Sequence, residues 1–77
     1  MSMCVVCEYG WIIKGEKENW SDGVVSLKNA SVVRRWTNGK GIGGIAKAEN
    51  KDEYTLDYIG DVNIMESKIL FTIPCEW

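Results

Sequence analysis

Three glycines, Gly39, Gly41 and Gly44, stand at the spacing G-x-G-x-x-G, after an apolar run that ends at Trp36 and before Ile45-Ala46-Lys47-Ala48. Such a spacing cradles phosphate when loop N–H groups and the first turn of a following helix converge on the anion. The chemistry needs a true helix inside a βαβ unit of roughly 30 residues, with parallel strands around it. Here the helical stretch covers only residues 44–50, and the segments after it have the short, turn-separated pattern of antiparallel hairpins. Asp61 lies where a ribose-binding acid would, but it follows Gly60, and a turn explains the pair. Gly39-Lys40 is not followed by Ser or Thr, so a Walker-type loop is missing as well. The glycines are expected to bend the chain, with no nucleotide and no cofactor.

Cys4 and Cys7 form C-x-x-C, and Cys75 lies near the other end of the sequence. Structural zinc wants four ligands, usually two such pairs or one pair and two histidines, and this chain has no histidine. Buried reduced thiols on edge strands are the expectation, with no metal. The lack of histidine also removes the commonest general base. Carboxylate chemistry would need Asp57 with Asp61, or Glu49 with Asp52 and Glu53, to converge, whereas acids beside turns are ordinarily solvated. No catalytic residues are assigned.

Arg34-Arg35-Trp36 with Lys40, and with Lys28 and Lys47 nearby, is the richest cluster: cations can hold phosphates while an aromatic stacks a base. Arg34, Arg35, Trp36 and Lys40 are therefore the candidate binding residues. The competing reading has Trp36 anchoring the core while one arginine pairs with the acid-rich C-terminal half. A net charge of −2 and the single aromatic within the cluster favour that reading. Four tryptophans are more than a core of this size readily hides, so one or two of Trp11, Trp20 and Trp77 are expected at a partner or self-association surface. Trp77, just past Pro74, is the first choice for a place outside the core.

The elements that must position these residues are strands. A chain of 77 residues holds one domain with a modest core, here a single β domain over 1–77. Residues 3–9 and 11–20 read as the first two strands, with Gly10 at a bend and the second half of the latter leaving the core. Asp22-Gly23 is a hairpin turn. Val25 and Leu27 keep period two, Val32-Val33 breaks it, and a bulge near Asn29 accounts for the slip. Residues 38–44 are a loop, 54–58 and 62–65 are strands separated by a Gly60-Asp61 turn, and 69–73 are a last strand ended by Pro74. The fold expected is mainly β: a small antiparallel, partly open, SH3-like barrel of five or six short strands with one short helical turn.

Tyr9-Gly10-Trp11-Ile12-Ile13-Lys14-Gly15, then Val25-Ser26-Leu27-Lys28-Asn29-Ala30 leading to Trp36, then Ile45-Ala46, then Ile69 through Pro74 resemble a family of small uncharacterised β proteins encoded in phages and prophages. The resemblance implies a phage or prophage accessory protein. No stretch approaches the ~20 apolar residues of a membrane span and no basic, apolar leader is present, so a cytoplasmic protein is expected. The function expected is a non-enzymatic interaction module that binds a protein partner or a second copy, possible homo-oligomerisation included. Weak nucleic-acid binding through Arg34, Arg35, Trp36 and Lys40 is the alternative, and no membrane partner is expected.

Overall fold

A computed structural model describes residues 2–37 and 39–77 of the chain. Five strands, β1 (Ser2–Cys7), β2 (Ile12–Ser21), β3 (Val24–Trp36), β4 (Tyr54–Met65) and β5 (Ile69–Cys75), form one sheet. Its order is β4-β3-β2-β1-β5, with every pair antiparallel. The first four strands follow one another as a meander, and β5 returns beside β1. The sheet curls into the half-barrel expected from the sequence, with β4 and β5 as its two edges.

The hairpin between β2 and β3 closes on Asp22 and Gly23, both at positive φ (53° and 76°), as a tight I′-type turn requires. The bulge expected near Asn29 is present. Pairing with β4 slips between Leu27 and Ala30, and Asn29 itself has φ 51°. Its effect is to change faces. Val25, Leu27 and Ala30 join one hydrophobic cluster with Met3, Val5, Cys7 and Ile64, whereas Val33 joins a second with Cys4, Ile45, Tyr54 and Cys75. A further slip between Val33 and Arg35 leaves Arg34 and Arg35 both outside and turns Trp36 back onto the second cluster.

Three local expectations change. Gly60-Asp61 is not a reversal: β4 runs unbroken from Tyr54 to Met65, and Gly60, at φ 89°, sits in an irregularity opposite Ala30. Pro74 does not end the last strand, which continues to Cys75; an edge strand tolerates a proline because one side needs no ladder donor. The helical turn expected over 44–50 is two 3-10 turns, Ile42–Ala46 and Ala48–Glu53, and shorter ones close Glu8–Gly10 and Glu66–Lys68. Asn38, placed in the glycine loop by the sequence, lies outside the described residues.

Candidate functional site

The glycine segment is built for close packing. Tyr54 donates its hydroxyl to the Gly41 carbonyl at 2.7 Å, and the buried Asn50 donates to the Gly44 carbonyl at 2.9 Å. Lys40 Nζ in turn donates to Asn50 Oδ1 at 2.9 Å. Gly41 has φ 71°, and a Cβ on Gly44 would lie 2.6 Å from the Tyr54 hydroxyl. Positive φ and close approach therefore account for glycine at these positions. The surrounding strands are antiparallel, and the turn after the loop spans only Ile42–Ala46, so the helix and parallel strands of a phosphate cradle are not in place here.

The C-terminus clasps this segment. Glu76 N–H donates to the Ala46 carbonyl at 2.9 Å, the Glu76 carboxylate accepts from Ala48 N–H at 2.9 Å, and Trp77 Nε1 donates to the Ile45 carbonyl at 2.7 Å. The Ala48 N–H, and then the Lys47 ammonium, hold the Glu76 carboxyl below its ordinary value. Lys14 Nζ lies 4.1 Å from the centre of the Trp77 ring, a cation–π geometry, while burial lowers the Lys14 ammonium pKa. The sequence placed Trp77 outside the core; it is instead half-buried against the second cluster.

The cysteines divide between faces. Residues i and i+3 of a strand point to opposite sides, so Cys4 packs in the second cluster with Cys75 and Cys7 packs in the first. The C-x-x-C pair thus cannot converge on one ion while β1 stays paired on both sides. All three thiols are free and buried. Cys4 and Cys7 lie on the interior strand β1 rather than on an edge, and Cys75 lies on edge strand β5. Burial, helped by the neighbouring Cys75, pushes Cys4 to about 12; burial also raises Cys7 and Cys75.

The basic cluster is dispersed by the same geometry. Arg34 Nη1 pairs with Asp57 Oδ2 at 2.7 Å, the Trp36 ring packs 5.9 Å from that of Tyr54, and Lys40 is engaged with Asn50. Arg35 is exposed beside Arg34, where the two line a shallow cleft of about 310 Å³ with Thr55 and Asp57. Trp36 and Lys40 do not line it. Of the carboxylates, Asp57 is held by Arg34, and Asp61 Oδ1 accepts from Asn29 N–H at 3.2 Å.

A second cleft, of about 310 Å³, opens where the β1–β2 turn faces the end of β4. Ile64 and Met65 line it with Tyr9 and Trp11, and Lys68 joins Glu8 across its rim at 3.6 Å. Tyr9 is 95% exposed and Trp11 58% exposed, so neither ring is consumed by the core. Tyr9 is also held at φ 63°, an uncommon conformation for a bulky residue. The turn closes with Cys7 N–H donating to the Trp11 carbonyl at 2.7 Å. The sequence singled out Trp11 through the excess of tryptophan; Tyr9 and Met65 carried no signal, because only the third dimension brings β4 beside this turn. Comparison with family models, curated proteins and solved structures found no match. No helix among the described residues is long and apolar enough to cross a membrane.

Proposed function

We propose that the protein is a non-enzymatic interaction module whose protein partner docks at the Tyr9–Trp11 cleft. The observation that carries this is the pair of exposed aromatic rings beside an apolar floor of Ile64 and Met65. Rings of this kind, large and stiff with a polar tip, are the side chains that dominate interface energies when desolvated. The Glu8–Lys68 pair supplies a polar rim. A cytoplasmic phage or prophage accessory role, the expectation raised by the resemblance, is compatible with such a module.

Nucleic-acid binding is the second reading, and Arg34 and Arg35 at their shallow cleft are what favours it. The inward packing of Trp36 weighs against it, because that ring is not presented as a stacking platform. The two readings separate in one comparison. Affinity capture from a bacterial lysate is run with the wild-type chain, with Trp11→Ala and with an Arg34→Ala/Arg35→Ala double variant, alongside titration of a labelled single strand. A protein retained by wild type and by the arginine variant but lost with Trp11→Ala supports the cleft. Retention unaffected by Trp11→Ala, or salt-dependent strand binding that requires the arginines, overturns it.

A further inference from the structure

The two edges of the sheet are unlike each other. β4 carries Asp57 and Asp61 and is distorted at Gly60, devices that protect an edge from pairing with another chain. β5 reads Ile69-Leu70-Phe71-Thr72-Ile73-Pro74-Cys75, without a charge, and pairs with β1 on one side only. Its C-terminal end is protected: Pro74 lacks a donor, and the Ile42–Ala46 turn lies against the strand there, with the Glu76 N–H bonded to Ala46. Residues 69–72 have no such cover among the described residues, and Leu70 and Phe71 are 64% and 49% exposed.

We infer that β5 pairs antiparallel with β5 of a second copy, joining two half-barrels through one continuous sheet. The distribution of charge selects this occupant. An uncharged edge presents itself to its own copy without like-charge opposition, whereas β4 against β4 would bring Asp57 and Asp61 of both copies together. A β5-to-β4 contact would meet the Gly60 irregularity and, being head-to-tail, would build a ring or an open filament instead of a two-fold dimer. A two-fold axis through Phe71 sets Phe71 against its counterpart and Leu70 against Thr72 of the other copy, keeping side chains of one face together. One short edge buries less than the ~1,600 Å² of a standard interface, so the dimer is weak and concentration-dependent.

Sedimentation equilibrium of the full chain over the micromolar to millimolar range tests this. The mass is expected to rise from one chain to two and stop there, and amide exchange at residues 69–72 to slow over the same range. Leu70→Lys and Phe71→Lys, both at exposed positions, are expected to weaken the dimer at least about tenfold with unchanged near-ultraviolet circular dichroism. Tyr58→Lys on exposed β4 is expected to leave it intact, as is Trp11→Ala, which keeps this outcome separate from that of the partner cleft. A single-chain mass throughout, growth beyond two chains, or exchange at 69–72 that ignores concentration overturns the inference; so does loss of the dimer with Tyr58→Lys and its retention with the β5 variants.

Discussion

Gly15 on β2 is the position where a single methyl tests the packing most directly. A Cβ there would stand 3.0 Å from Ala30 Cβ, 3.1 Å from Ala30 Cα and 3.1 Å from Leu27 Cβ. Its φ is not in the left-handed region, so the question is one of space alone. Ala30 and Leu27 are 0% and 1% exposed and flank the Asn29 bulge, and one of the three atoms is backbone, so relief requires β2 and β3 to separate. Overpacking of this kind costs about 1–3 kcal/mol. Gly→Ala returns about 0.4–1 kcal/mol by restricting the unfolded chain. The net is a loss of up to about 2.6 kcal/mol, centred near about 1.3 kcal/mol, which at that centre is a fall in Tm of roughly 5–10 °C for a domain of this size. Urea and thermal unfolding followed by tryptophan fluorescence read it. The double variant Gly15→Ala/Ala30→Gly should recover at least about 1 kcal/mol relative to the sum of the single changes, because it removes the atom in closest contact. A midpoint for Gly15→Ala equal to or above that of wild type would refute the bulge-packing argument.

Trp77→Ala should cost about 2 kcal/mol, below the ~3–5 of a fully buried aromatic, since it removes a half-buried ring, its bond to Ile45 and its contact with Lys14; denaturant midpoints report it, and exchange of the 42–46 amides should quicken. Arg34→Ala should change stability by no more than about 0.5 kcal/mol, because the Arg34–Asp57 pair is mostly solvated; a larger drop in the urea midpoint would refute that. The thiols give a pH dependence of fixed sign. Cys4 is raised from 9.0 to about 12 and therefore contributes stability below the unfolded value that is lost as pH climbs from 9.0 toward 12. Lys14, lowered from 10.5, acts in the opposite sense as pH rises toward 10.5. Cys4→Ala should therefore flatten the alkaline fall expected of wild type, and an identical slope in the two proteins would contradict burial of that thiol.

Much of the fold was legible because its signals are local. Asp22-Gly23 meets the positive-φ demand of a tight hairpin turn, and the break in period two around Val32 and Val33 announced a bulge that the structure places at Asn29. Gly60-Asp61 misled, because the same residues suit a turn and a strand irregularity, and only pairing with Ala30 decides between them. Arg34-Arg35-Trp36 looked like one patch along the chain. The register slip after Val33 sends the arginines outward and the tryptophan inward, so its chemistry is divided.

By itself, the order of residues determined an antiparallel β chain with a glycine segment too short for a phosphate-binding helix, since turn chemistry and side-chain alternation act over a few positions. The tertiary structure alone decided that Tyr9, Trp11 and Met65 meet at one cleft, that Trp77 clasps the Ile42–Ala46 turn, and that β5 is left as an uncharged edge. Those outcomes depend on which strands become neighbours and on where bulges reverse a face, and such long-range pairings are fixed by the whole sheet at once.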